Sequence, residues 1–285
     1  MIRPRSMIFT LYGDYIRPRG GRIWIGSLVK LLAPFGWSEQ AVRSAVSRTV
    51  QKGWLQIVKA EGKSYYSLTE RGERLLAEGT RRIFERRAAL WDGQWHVLTY
   101  AIPESQRELR DELRTQLSWL GYGLLSNATW LCPHDLEPGV AALVTRLGIK
   151  DRVEVFVGRH RGFGDDRALA ARCWNLAEIN ARYEVFLARY RPAYLDHRRR
   201  LESGEDVPAV ECFVQRVLLI HEYRKFPFSD PQLPGDLLPD GWLGDQAAEL
   251  FQAYHALLGP RANRFCDAVF ERPDGTLEAT ALSLA

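Results

Sequence analysis

The chain has 285 residues, of which 46% are apolar and 26% charged, and its formal net charge is +4. The length suits two or three domains, and the composition is that of a soluble globular protein rather than of a disordered chain. Its purely apolar runs, such as residues 217–220, are far shorter than the roughly 18 residues of a membrane-spanning helix. The basic N-terminus lacks the apolar core of a secretion signal, so we expect a cytoplasmic protein with no membrane partner.

The charge is distributed unevenly along the chain. Residues 1–90 contain 17 Lys and Arg against 7 Asp and Glu, whereas the remaining residues contain 22 against 28. A basic segment joined to a mildly acidic body is the pattern of a nucleic-acid-binding domain, and equally of a solvated basic surface. The order of the predicted helices and strands distinguishes a nucleic-acid-binding domain from a solvated basic surface.

The first fifty residues predict three helices and a short strand. Apolar spacing predicts a helix over residues 6–16, a strand from Arg22, and a second helix over residues 28–32 that ends at Pro34 and Gly36. Ser38 is a suitable N-cap for a third helix over residues 38–52. Two helices joined by a tight turn at Gly36 form the helix-turn-helix arrangement.

The third helix has an apolar face and a face of basic, amide and hydroxyl side chains. Arginine pairs with guanine through two hydrogen bonds, glutamine suits adenine, and serine can contact a base or a phosphate. An ordinary amphipathic helix also has a polar face, but this one carries no acidic residue after Glu39. The predicted base-contacting residues are Gln40, Arg43, Ser44, Ser47, Arg48 and Gln51.

Two strands and a further helix follow. Residues 53–58 and 64–68 predict a hairpin with a turn at residues 61–63, and Thr69 caps a helix behind it. A hairpin of this size after a helix-turn-helix is typical of a wing. We therefore predict a winged helix-turn-helix DNA-binding domain over residues 1–90. The residues predicted to contact the DNA backbone or minor groove are Arg17, Arg19, Arg22, Lys59 and Lys63.

The rest of the chain predicts two further domains. Residues 91–164 show the order β-α-β-β-α-β, which is that of a ferredoxin-like fold. Residues 165–285 are predicted to be helical, with an apolar stripe over residues 176–190 that Pro192 breaks, and with helices over residues 207–224 and 245–258. The predicted fold class is thus a multidomain α+β protein.

The whole chain resembles the PaaX-type repressors of phenylacetic acid catabolism. The resemblance rests on the arginine-rich start of the winged helix and on the central segment from Trp95 to WLCP at residues 130–133. Its most specific part is HEYRKFPF at residues 221–228, which leads to DPQLP at residues 230–234. The resemblance implies a central domain similar to the Cas2 fold and a homodimer on a palindromic operator. It also implies phenylacetyl-CoA, or a related acyl-CoA, as the effector that releases the DNA.

The stretch at residues 221–228 contains cations and aromatic rings and is a candidate effector site. Cations pair with CoA phosphates, and aromatic rings can face an aryl group. A solvated helix end beside core phenylalanines would show the same residue types. The candidate effector residues are His221, Arg224, Lys225, Phe226 and Phe228. A second cationic stretch, residues 159–161, suits an effector, an ordinary loop or a dimer contact.

No catalytic residue, metal ligand or cofactor is predicted. The four cysteines form no CxxC pair, so neither a zinc site nor a disulfide framework is indicated. The resemblance to Cas2 raises a metal-dependent nuclease as an alternative, but Ala101 stands where the strand-end carboxylate is expected, and alanine offers no oxygen ligand. A winged-helix protein that binds DNA constitutively, without a small-molecule effector, is the other alternative.

Overall fold

The computed structural model describes residues 4–60, 62–84 and 90–271. These residues form α-helices and two antiparallel sheets, so the architecture is mixed α+β. The chain divides into two compact units. Met1–Glu85, Phe186–Arg224 and Gln246–Ala285 make up the first, and Arg86–Val185 with Lys225–Asp245 the second. No helix within the described residues is both long and apolar enough to cross a bilayer.

The N-terminal helices and the short strand lie where the sequence predicts them. The first helix continues into a π-helical turn over Tyr12–Ile16, and a 3₁₀ turn over Ala33–Phe35 leads to Gly36, whose φ is +79°. The elements are α1 (Pro4–Leu11), β1 (Arg22–Trp24), α2 (Ile25–Leu32) and α3 (Glu39–Gln51).

The predicted hairpin is confirmed. It consists of β2 (Leu55–Ala60) and β3 (Lys63–Leu68), and the pair Ala60 and Lys63 lies next to the turn. The strand β1 pairs with the other side of β3, which gives the sheet order β1-β3-β2. Helix α4 (Glu70–Phe84) follows, and Thr69 caps it as predicted, because the Thr69 hydroxyl accepts a hydrogen bond from the Gly72 N–H at 3.2 Å.

The second unit contains the predicted β-α-β-β-α-β succession. Its sheet has the strand order β5-β6-β4-β7 with antiparallel neighbours, and Leu98, Leu113, Leu117 and Trp130 belong to its core. The strands and helices are β4 (Trp95–Tyr100), α5 (Arg107–Leu120), β5 (Gly123–Ser126), β6 (Thr129–Cys132), α6 (Glu137–Leu147) and β7 (Val153–Gly158).

Helix α7 (Asp166–Cys173) belongs to the same unit, as does the DPQLP segment. Tyr183 stacks on Phe226 with ring centroids 4.1 Å apart, and its hydroxyl donates to Asp230 Oδ2 at 2.6 Å. The backbone carbonyl of Gln232 lies 2.8 Å from His134 Nε2. These contacts explain why this stretch has such a specific sequence: its aromatic and acidic side chains fix the segment within the unit.

Three long helices complete the described residues: α8 (Leu176–Glu202), α9 (Ala209–Tyr223) and α10 (Gly244–Val269). The prediction that Pro192 breaks the first of these was wrong, because α8 continues through it. A proline inside a helix removes one hydrogen bond, but side-chain packing can compensate for that loss. Here Tyr190 packs on Phe186 before the proline, and Tyr194 packs on Tyr254 after it.

Helix α10 also exceeds its predicted end at residue 258 and continues through Pro260 to Val269. The three predicted segments follow the chain, whereas the compact units do not. Residues 186–224 and 246–285 share a unit with the N-terminal elements, and residues 225–245 share one with the β-α-β-β-α-β segment. Within the first unit, Phe213 of α9 packs against Tyr15 at 5.1 Å and against Phe35 at 6.0 Å.

Candidate nucleic-acid interface

Helix α3 is the centre of the candidate interface. Its first turn is capped by Ser38, whose hydroxyl accepts a hydrogen bond from the Ala41 N–H at 3.3 Å. Such a cap satisfies a backbone donor that a helix start otherwise leaves unpaired. The buried residues that fix the opposite face of α3 in the unit are Val42, Ala45, Val46 and Thr49.

The polar face of α3 is at the surface. Every residue predicted to contact bases is exposed, namely Gln40, Arg43, Ser44, Ser47, Arg48 and Gln51. Arg43 forms an exposed ion pair with Glu39 at 2.7 Å, and solvent-exposed pairs of this kind exchange partners at little cost. The helix therefore presents two guanidinium groups, two amides and two hydroxyls on one accessible face.

The hairpin carries the two predicted wing lysines in different environments. Lys59 is exposed on β2. The Lys63 ammonium lies 5.0 Å from the centre of the Trp24 ring and is paired with the carboxylate of Glu271. Lys59 is thus accessible to a DNA phosphate, whereas Lys63 is already paired with Glu271, which is more than 200 positions away in the sequence.

The three arginines before and in β1 also differ. Arg22 is exposed, and Arg17 is exposed with its Nε 3.3 Å from Glu73. Arg19 is largely buried: its guanidinium donates to Asp267 at 2.6 and 2.8 Å, to Asn263 at 3.2 Å and to the Tyr15 carbonyl at 3.0 Å. Arg17 and Arg22 are therefore at the surface, and Arg19 joins two parts of the first unit.

Sequence reasoning missed the acidic partners of these cations. Asp267 lies in the last turn of α10, and Glu271 follows two residues after the helix ends. Both acidic residues are visible in the sequence, but nothing local indicates which cations they meet. The stacking of the Arg71 guanidinium 4.1 Å over the Trp54 ring was missed for the same reason.

The candidate effector residues fall in both compact units. His221 is buried in α9, and Arg224 at the end of α9 donates a hydrogen bond to the Ser6 hydroxyl; burial lowers the pKa of Arg224. Both belong to the first unit. Lys225, Phe226 and Phe228 belong to the second, where Phe226 is buried and Lys225 and Phe228 are exposed. No single unit gathers all five residues.

The other cationic stretch lies after β7. Arg159 donates to the Asp92 carbonyl at 3.4 Å, and His160 Nδ1 lies 3.6 Å from Asp166 Oδ1. Asp166 also accepts a hydrogen bond from the Trp95 indole at 2.7 Å. Arg159 and His160 are thus tied to their own unit.

Ala101 directly follows β4 and is exposed. Across residues 4–60, 62–84 and 90–271, no three His, Cys, Asp or Glu side chains are grouped so that they could hold a metal ion. The four thiols are free, and burial raises the pKa of Cys173 to about 11.

Comparison with known proteins gives three family matches that follow one another along the chain. Residues 3–72 match a family described as "PaaX-like protein", residues 88–170 match "PaaX protein central Cas2-like domain", and residues 174–268 match "PaaX-like protein C-terminal domain". The chain is 34% identical over 278 residues to "Transcriptional repressor PaaX" from Escherichia coli (strain K12), which covers 96% of this chain and 86% of the relative.

Among solved structures, the fold is similar to that of "Uncharacterized protein Rv0674 from Mycobacterium tuberculosis", with a TM-score of 0.61 and 23% identity. This match covers 93% of the chain and 97% of the other protein. Because three successive family matches and a relative of nearly equal extent agree, the chain belongs to the PaaX family.

Proposed function

We propose that the chain is a DNA-binding transcriptional repressor that acts through a winged helix-turn-helix domain over residues 1–90. The observation that carries this proposal is the exposed face of α3, which offers Arg, Gln and Ser side chains and is backed by buried apolar residues. This is the arrangement by which a recognition helix reads base edges in the major groove. The related repressor from Escherichia coli supports the regulatory role.

Contacts to the DNA backbone are assigned to the exposed cations around α3. Arg17, Arg22 and Lys59 are exposed in the same unit, and they suit phosphate contacts that set affinity and register rather than sequence choice. Base choice then rests on Arg43, Ser44, Ser47 and Arg48, with Arg43 exchanging its Glu39 partner for DNA.

We further propose a homodimer on a palindromic operator. Two-fold symmetry of a dimer matches the two half-sites of such an operator. The strand β7 is an edge strand of its sheet, and Val155, Phe156 and Val157 on it are 41%, 57% and 55% exposed. An exposed edge strand with apolar side chains can pair with a strand of another chain, and we assign a second copy of this chain as that partner. Sedimentation velocity tests this: Phe156→Glu is expected to shift a dimer to a monomer, and a wild-type monomer would contradict it.

The regulated process we assign is phenylacetic acid catabolism, with phenylacetyl-CoA or a related acyl-CoA as the releasing effector. This assignment follows from the family resemblance. An effector releases DNA only if it binds the DNA-incompetent conformation more tightly than the competent one. His221, Arg224, Lys225, Phe226 and Phe228 remain the candidate effector residues.

The test is a gel shift on DNA from upstream of the chain's own gene, with phenylacetyl-CoA added and with free phenylacetate as control. Release by the thioester alone supports the proposal. Retention of DNA with every acyl-CoA tested would instead indicate a constitutive DNA binder. Degradation of the probe that depends on a divalent metal ion would indicate a Cas2-like nuclease.

A further inference from the structure

The end of α10 lies against the tip of the hairpin. Glu271, two residues after the helix, donates its backbone N–H to the Ser27 hydroxyl at 3.0 Å, and its carboxylate pairs with the Lys63 ammonium. Lys63 is the first residue of β3, directly after the hairpin turn. In a winged helix this tip is the part of the wing that reaches the DNA, so Glu271 holds a cation of the proposed interface.

A second ion pair fixes this arrangement. One helical turn before Glu271, Asp267 accepts two hydrogen bonds from Arg19, and both side chains are about nine-tenths buried. Removing one partner of such a pair leaves an unpaired buried charge, so the contact is costly to break. The Arg19–Asp267 pair therefore anchors the end of α10 to the N-terminal elements and keeps Glu271 near Lys63.

The Lys63–Glu271 pair is different because it is reachable by solvent. The Lys63 side chain is 36% exposed and that of Glu271 is 17% exposed. A carboxylate and a DNA phosphate are both anionic oxygen acceptors, so they compete for the same ammonium group. The Trp24 ring lies 5.0 Å from the Lys63 ammonium, and this cation–π contact stabilises the ammonium whether its partner is Glu271 or a phosphate.

We propose that Glu271 is an autoinhibitory residue that competes with DNA phosphate for Lys63, held in place by the Arg19–Asp267 anchor. This inference rests on the proposed DNA-binding function. In the resting conformation Glu271 neutralises the wing lysine from within the chain, so the wild-type protein binds DNA without a phosphate contact from Lys63. A displacement of Glu271 thus exposes the cation, and its return weakens DNA binding.

The test is the affinity of full-length Glu271→Gln for duplex DNA from upstream of the gene, measured by fluorescence anisotropy between 50 and 200 mM salt. One additional phosphate contact steepens the slope of log affinity against log salt by roughly 0.9. We expect that change in slope. When salt is lowered from 200 to 50 mM, the affinity of the variant should therefore rise roughly threefold more than the affinity of the wild-type protein rises. An unchanged slope, or weaker binding at all salt concentrations, would overturn the proposal and make the pair a positioning contact.

Glu249→Gln is the matched control. Glu249 is an exposed residue of α10, 22 positions before Glu271, and its substitution removes the same charge. This control is expected to leave the slope unchanged. If Glu249→Gln steepened the slope as much as Glu271→Gln, the effect would be one of net charge and the proposal would fail.

A double-mutant cycle with Lys63→Gln identifies the cation concerned. Once Lys63 is absent, Glu271→Gln is expected to bring no further gain in DNA affinity, and an equal gain in both backgrounds would contradict the assignment.

A second variant tests the hydrogen bond that holds Glu271. Ser27→Ala, which removes the hydrogen bond to the Glu271 backbone without changing charge, is expected to raise DNA affinity, as Glu271→Gln does. Thermal melts show whether each variant is folded. If the wild-type protein bound no duplex at all, the proposed function would fail, which is a different outcome from a failed cycle.

Discussion

Arg216 of α9 donates a hydrogen bond to Asp14 across 202 residues of sequence, with Nη2 and Oδ1 3.2 Å apart and both side chains about nine-tenths buried. His255 of α10 shares the same carboxylate oxygen at 2.8 Å. One buried carboxylate therefore joins the N-terminal π-helical turn to two C-terminal helices, and it explains why these distant parts of the chain form one compact unit.

Asp14→Asn is expected to destabilise the protein. The Arg216 guanidinium would remain buried without its counter-charge, a loss that costs about 3–5 kcal/mol in comparable pairs. Urea unfolding measures the free energy of unfolding, with the exposed-site variant Glu249→Gln as control. A loss below about 1 kcal/mol would show that the pair contributes little to the stability of the unit.

The two glycines of α4 are expected to respond in opposite directions to alanine. A Cβ at Gly72 would lie 2.4 Å from the Trp54 carbonyl oxygen, so Gly72→Ala forces a shift that costs on the order of 1–3 kcal/mol. Gly79 meets nothing within 4 Å, and Gly79→Ala gains up to about 1 kcal/mol from the better helix former. Thermal unfolding of the pair checks this. If both variants had equal stability, the close approach of α4 to Trp54 would be contradicted.

Arg48 and Lys59 are expected to affect DNA binding differently. Arg48→Ala removes a base-contacting side chain, so it costs about 1–3 kcal/mol on the preferred sequence and relaxes the choice at one base pair. Lys59→Ala removes a phosphate contact, so it weakens binding to all sequences alike and lowers the salt slope by about 1. Binding to a set of single-base variants separates the two patterns. A uniform loss in both variants would mean that α3 is not the recognition helix.

The thiols are expected to be unreactive in the folded protein. Burial raises the pKa of Cys173 to about 11, so almost none of it is thiolate at pH 8, and Cys132, Cys212 and Cys266 are buried. Because the thiolate is the reactive form, a disulfide reagent at pH 8 should modify the native protein slowly and all four cysteines rapidly in urea. Rapid modification of one thiol in the native protein would contradict the burial of that residue.

The parts of the fold that local sequence determines were predicted. Ser38 marks the start of α3, the turn at Gly62 separates β2 from β3, and the alternation of strands and helices gives the sheet of the second unit. Each of these depends on residues within a few positions of one another. The exposed polar face of α3 follows from the same periodicity.

The remaining features depend on distant partners. Pro192 and Pro260 lie inside helices because side-chain packing outweighs the loss of a hydrogen bond, which no local rule reveals. Arg19 was predicted to contact DNA from its charge alone, but its partner Asp267 lies 248 residues away. Residue type indicates what a side chain can bind, and only the fold determines which partner reaches it.

The most direct measurement is an equilibrium titration of the purified protein with duplex DNA from upstream of its own gene, against a scrambled duplex of the same composition, over a range of salt concentrations. Sequence-specific repressors bind their sites about 10³-fold or more tightly than other sequences, with affinity that falls as salt rises. We predict that preference and that salt dependence. Equal affinity for both duplexes, or no binding to either at low salt, would contradict a repressor that reads DNA with α3.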